Sequence, residues 1–138
     1  NSKNMSLIDN TCIIDDDPIC VFGLKRTLKE VNFCKNIIVY NNGLEAINGF
    51  NELLEQGEKL PSIVFLDLNM PIMDGWDFLE DFGKIPNANR DNVSIYIISS
   101  SVDPRDIIRA KEISAVNNYF IKPFTKIDLN KVLAEKST

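Results

Sequence analysis

Phe65-Leu66-Asp67-Leu68-Asn69-Met70-Pro71, followed by Ile72-Met73-Asp74-Gly75, is the stretch on which the reading of this chain turns. Residues 62–66 form a short apolar run rich in Ile, Val and Phe, which predicts a strand buried on both faces and ended by a carboxylate. Pro71 and the Asp74-Gly75 pair force a loop before the next helical pattern, leaving Asp67 at the rim of a sheet. That rim is where open α/β sheets bind ligands. One aspartate at a strand end is often no more than a turn residue or a local cap, so the weight rests on the other strand ends.

Upstream, residues 11–14 are apolar and run into Asp15-Asp16-Asp17. Pro18 then opens a helical stretch to about Val31, with Ile19, Phe22, Leu24, Leu28 and Val31 expected to face inward. Asp17 before Pro18 reads as an N-cap followed by proline at the first helical position, which leaves Asp15 and Asp16 unexplained by capping. Residues 37–40 predict a second strand and residues 44–56 a second helix, with Leu44, Ile47, Phe50, Leu53 and Leu54 inward and Gly57 as its stop.

Downstream, Trp76, Phe78, Leu79 and Phe82 mark a third helix ending near Gly83 and Pro86, and residues 87–92 read as a loop. Residues 95–98 predict a fourth strand that delivers Ser99, Ser100 and Ser101 to its end. Asp103-Pro104 repeats the cap-then-proline device before a helix carrying Ile107, Ile108, Ala110 and Ile113. Residues 119–121 form a fifth strand ending at Lys122-Pro123, and Thr125 with Asp128 has the capping-box form at the start of a last helix. Five strands alternating with five helices require a parallel sheet covered on both faces.

In such a sheet Asp15, Asp16, Asp67, Ser99 and Lys122 converge on one edge. Packed carboxylates repel unless a cation neutralises them, and an all-oxygen set favours a hard metal, Mg²⁺ before Ca²⁺. A carboxylate beside Mg²⁺ and a lysine is what aspartyl-phosphate chemistry requires: Asp67 attacks a phosphoryl group while the metal and Lys122 offset its charge.

Composition agrees. A chain of 138 residues, 44% hydrophobic and 25% charged, suits one globular domain and leaves no room for a second. The opening Asn1-Ser2-Lys3-Asn4 lacks the features of a signal peptide and no apolar run approaches a membrane span, so a cytoplasmic protein is expected. Those four residues read as an expression remnant before Met5, and residues 1–10 as a tail ahead of a domain over 11–136. Cys12, Cys20 and Cys34 have no paired spacing and there is no histidine, which excludes a zinc site and predicts buried reduced thiols. A net charge of −5 without a basic run argues against direct nucleic-acid binding.

These motifs together resemble the receiver domain of two-component response regulators, of the single-domain chemotaxis-regulator-like kind. They are Ile14-Asp15-Asp16-Asp17-Pro18, Leu66 through Gly75, Ile98-Ser99-Ser100 and Tyr119-Phe120-Ile121-Lys122-Pro123-Phe124, and the resemblance spans residues 11–133. It implies a flavodoxin-like doubly wound sheet of order 2-1-3-4-5, with five helices. It implies that Asp67 is the phosphoacceptor and that Asp16, Asp67 and the Asn69 backbone carbonyl ligate Mg²⁺, with Asp15 acting through water. Lys122 would pair with the phosphoryl group, aimed by a cis Lys122-Pro123 peptide. Ser99 matches the switch hydroxyl and Tyr119 the switch aromatic. Counting back from Lys122 favours Ser100 as the switch, whereas counting along the strand favours Ser99, and Ser99 is taken. The family more often has Thr there, and the connection over residues 83–92 is long.

The implied function is a phosphorylation-dependent switch charged by a sensor histidine kinase or phosphotransfer protein. It would act on a downstream protein through the helix after Asp103, the strand over 119–121 and the helix after Thr125, without being an enzyme in its own right. Two other functions compete. One is a Mg²⁺-dependent phosphohydrolase similar to haloacid-dehalogenase-like enzymes, which usually place an acid/base Asp two residues after the nucleophile, where Asn69 stands. A pseudo-receiver that only binds partners is disfavoured by the intact Asp15, Asp16, Asp67 and Lys122 set.

Overall fold

The computed structural model describes residues 8–136. The expression-remnant reading of the first four residues falls outside that range. Along the chain run β1 (Ile8–Ile14), α1 (Pro18–Glu30), β2 (Cys34–Tyr40), α2 (Gly43–Glu55), β3 (Ile63–Leu66) and α3 (Gly75–Phe82). Then come α4 (Asn87–Arg90), β4 (Ser94–Ser99), α5 (Pro104–Lys111), β5 (Val116–Ile121) and α6 (Lys126–Lys136). The five strands form one parallel sheet in the order β2-β1-β3-β4-β5.

β1 begins at Ile8, inside the stretch assigned to the tail, because it pairs with β2 from Ile8 opposite Cys34 onward. Among the described residues there are six helices rather than five, since the predicted loop at 87–92 holds α4. That single turn is closed by local bonds, Asp91 N–H to the Asn87 carbonyl at 2.9 Å and Arg90 Nε to the Ile85 carbonyl at 2.6 Å. A one-turn helix needs no apolar stripe, so periodicity gives no sign of it.

Side chains alternate across the sheet with the period of a strand, building two cores. Cys12, Ile14, Val64, Leu66, Ile95 and Ile97 face α2, α3 and α5, whose Phe50, Phe78, Phe82 and Ala110 pack on them. Ile13, Phe65, Tyr96, Ile98 and Phe120 face the other way, under Leu24 and Leu28 of α1 and Leu129 and Val132 of α6.

Helix α1 departs from the inward face expected for it. Ile19 is 80% exposed, Phe22 68% and Val31 42%, whereas Leu24 and Leu28 are buried. At about 100° per residue, Phe22 lies roughly 200° around the helix from Leu24 and points to solvent. Leu44, Ile108 and Ile127, also expected inward or core-facing, are exposed at the starts or outer faces of their helices. Of the three thiols only Cys12 is fully buried; Cys20 and Cys34 are half-buried.

Candidate functional site

Register places the rim residues. Ile14 pairs with Leu66, so the next residue of each strand, Asp15 and Asp67, emerges side by side, with the Asp67 N–H still donating to the Ile14 carbonyl at 2.9 Å. Ser99 pairs with Ile121, and Lys122 N–H donates to the Ser99 carbonyl at 2.8 Å. Oxygens of Asp15, Asp16 and Asp67 lie within 4.8 Å of one another. The Lys122 ammonium sits 3.1 Å from Asp15 Oδ2 and 3.4 Å from Asp67 Oδ1. Asp15 and Asp67 are buried while Asp16 is exposed, so the cluster is open toward Asp16.

Local chemistry fixes the loops that carry these groups. Asp17 accepts the Ile19 N–H at 2.9 Å as the N-cap of α1, with Pro18 at the first helical position, and its own N–H donates to Asp15 Oδ1 at 2.9 Å. Capping thus consumes Asp17 and leaves Asp16 free of that duty. Asp74 caps α3 by accepting the Asp77 N–H at 2.9 Å. Gly75 is required by a close approach: a Cβ there would come within 2.6 Å of the Asp67 carbonyl oxygen and 2.8 Å of the Leu68 Cα. Ile72, 79% exposed in the same loop, has φ of +72°, a conformation costing a β-branched residue about 1–2 kcal/mol. The Lys122-Pro123 peptide is cis.

The electrostatics follow from burial and crowding. Burial pushes the Asp67 carboxyl up, the neighbouring Asp15 pushes it further, and Lys122 offsets only part of this, so Asp67 titrates at about 6. Burial alone would lower Lys122, but Asp67 and Asp15 outweigh it and raise the ammonium to about 12. The cluster carries excess negative charge at neutral pH and a lysine that stays protonated.

Behind the carboxylates Ser99 is completely buried, while Ser100 is exposed. Ser101 is a node that the sequence marks only by its hydroxyl. Its N–H donates to Ser99 Oγ at 3.0 Å, its hydroxyl to Asp106 Oδ2 at 2.6 Å, and Tyr119 O–H donates to its carbonyl at 2.9 Å. Tyr119 is 9% exposed, its ring turned into the core. Asp106 was not singled out from the sequence; its position in the first turn of α5, after a Ser-rich strand end, is the available signal. Asn69 is exposed, and its N–H donates to Asp67.

A doubly wound α/β domain with three carboxylates and a lysine at its switch-point rim is the class defined here. A family model for the response regulator receiver domain matches residues 11–134, and the chain belongs to that family. A two-component response regulator of known structure from Cytophaga hutchinsonii is 32% identical, with a TM-score of 0.85, 94% of this chain and 97% of that one being covered. Chemotaxis protein CheY-3 of Vibrio cholerae is 29% identical over 96% of this chain and 91% of its own length. The sensor histidine kinase CheAY of Helicobacter pylori is 29% identical over 90% of this chain, which spans only 14% of that protein. The domain is therefore a signalling module of two-component systems, with the strand order its family implies. No helix among the described residues is long and apolar enough to cross a membrane.

Proposed function

We propose that this domain is a phosphorylation switch that accepts a phosphoryl group on Asp67 from the phosphohistidine of a sensor kinase or phosphotransfer protein. The observation that carries this reading is the Lys122 ammonium bridging Asp15 and Asp67 within a cluster of three carboxylates. An all-oxygen, net-negative donor set fits Mg²⁺, held by Asp16, Asp67 and the Asn69 carbonyl, with Asp15 acting through water. When bound, that ion supplies charge neutralisation at the phosphoryl oxygens.

The chain's own residues do the rest. An Asp67 carboxylate oxygen forms the new O–P bond as the donor's N–P bond breaks, and the electron pair leaves with the imidazole nitrogen. Lys122 pairs with the anionic oxygens that result. Complete burial supports Ser99 over Ser100 as the group that donates to the phosphoryl group. Its contact with Ser101, which also holds Tyr119 and α5, supports a route from the site to the α5-β5-α6 face. That face is where a downstream protein would read the switch.

Incubation with acetyl phosphate and Mg²⁺, followed by intact-mass measurement, tests the reading. One phosphoryl adduct is expected, absent without metal and absent in Asp67→Asn. An adduct that survives in Asp67→Asn would place the chemistry elsewhere. Rapid turnover without a lasting adduct would make the domain a phosphohydrolase, and no adduct with no Mg²⁺ binding would leave a module that only binds partners.

A further inference from the structure

Along α1 opens a cleft of about 200 Å³ whose apolar part lies beyond the groups that phosphoryl transfer uses. Its walls are mainly apolar, with Ile13, Leu24, Phe65, Ile98 and Phe124 among them. Asp15, Asp67 and Lys122 also line it, and the 3.1 and 3.4 Å contacts of the ammonium with the two carboxylates gather these three into one polar patch. Gly23 borders the cavity, and a Cβ there would meet no atom within 4 Å.

Size and charge together select a ligand. An apolar cavity of about 150 Å³ suffices to take up benzene. Here the whole space, open at the surface, is of comparable size and ends at two carboxylates facing one ammonium, with the Asp16 carboxylate within 4.8 Å of both. An anion would meet excess negative charge, and a neutral hydrocarbon would leave that charge unanswered. An ammonium group on a short apolar body answers both parts of the lining.

We infer that this cavity binds a small aryl- or alkylamine, with its body under α1 and its ammonium against Asp15 and Asp67. Such a ligand competes with Mg²⁺ for the same carboxylates, so its occupancy keeps the domain from being charged. Binding itself requires neither metal nor phosphodonor, so it stands or falls apart from the phosphorylation reading.

The experiment titrates phenethylamine into isotope-labelled protein without Mg²⁺ and follows the amide shifts. Ethylbenzene and ethylamine serve as body-only and head-only probes. Shifts centred on Gly23, Ile98 and Phe124 are expected, with a dissociation constant on the order of 1 mM for so few atoms. Ethylbenzene should bind at least about tenfold more weakly, the equivalent of one charge-assisted contact. Mg²⁺ should weaken the amine, and Gly23→Leu, which adds a side chain at the exposed border of the cleft, should weaken its binding at least about tenfold. Equal binding of ethylbenzene with no effect of Mg²⁺ would overturn the assignment, as would shifts confined to Phe22 on the outer face. If no small molecule enters, yet Gly23→Leu slows charging by a phosphohistidine protein but not by acetyl phosphate, the cavity receives a partner's side chain and the inference fails.

Discussion

The two faces of the sheet carry the same kinds of residue in opposite arrangements. On the α2-α3 face the helices supply the aromatic rings: Phe50, Phe78 and Phe82 lie 5.8–6.3 Å apart over aliphatic strand residues. On the α1-α6 face the strands supply most of them, Phe65, Tyr96 and Phe120, and α1 buries only Leu24 and Leu28. The first face fits closely up to the loop after β3, where Gly75 touches the backbone of Asp67 and Leu68 and the Gly43 N–H donates to the Met73 carbonyl at 2.9 Å. The second leaves a cavity beside the same carboxylates. The loop bearing Asp67 is thus pinned from one side, while the ground next to it on the other side is left open.

Core truncation should separate the faces most strongly. Phe78→Ala should cost about 3–5 kcal/mol by chemical denaturation, whereas Phe22→Ala on the outer surface of α1 should stay within about 0.5 kcal/mol. Comparable losses from both would erase the contrast. The glycines give the next largest effect. Gly75→Ala should destabilise by roughly 2 kcal/mol or more, since the added Cβ meets backbone atoms at 2.6 and 2.8 Å. Gly23→Ala, with nothing within 4 Å of its Cβ, should stabilise by about 0.5–1 kcal/mol through helix propensity. Opposite signs in thermal melts are the check.

Between the faces, Asp67 sets a pH dependence. Its native value of about 6 lies above the ordinary 3.8, so the native state holds this proton more tightly than the unfolded chain does. Without metal, stability contributed by the protonated group is present below pH 3.8 and is lost as pH rises to about 6. The advantage of Asp67→Asn, which mimics the protonated form, should therefore grow between those limits and level off above about pH 6, on the order of 1–3 kcal/mol. A gain that is flat with pH would show that the carboxylate is not strained there. The smallest effect is expected at the Ser101 node. Asp106→Asn should cost about 1 kcal/mol or less, yet should alter the lifetime of the phosphorylated state, because it loosens the residue that holds both Ser99 and Tyr119. Unchanged lifetime would detach Ser101 from the switch.

Much of the site was readable because each rim residue follows a strand whose apolar run is unmistakable. Asp15, Asp67, Ser99 and Lys122 stand where such runs stop, and the capping roles of Asp17, Asp103 and Thr125 follow from local backbone chemistry, whereas Asp74, read as a turn residue, proves to cap α3. Asp106 was missed because its partner, Ser101, lies on a turn whose path the neighbouring sequence does not fix. The outward turn of Phe22 and Ile19 was missed for a related reason. Helical spacing shows that apolar residues exist on two sides of α1, but the side the sheet covers depends on how the helix lies across it.

By itself, then, the chain determined what is local: the strand runs, the caps and turns, and the identity of the groups at each strand end. Period and propensity act over a few residues and are written in neighbouring letters. Only the tertiary structure decided the register that sets Asp15 beside Asp67, the reach of Lys122 across to both, the elevated Asp67 titration and the space left under α1. Each of these depends on groups brought together from separate strands and helices, and on burial that exists only once both cores have closed.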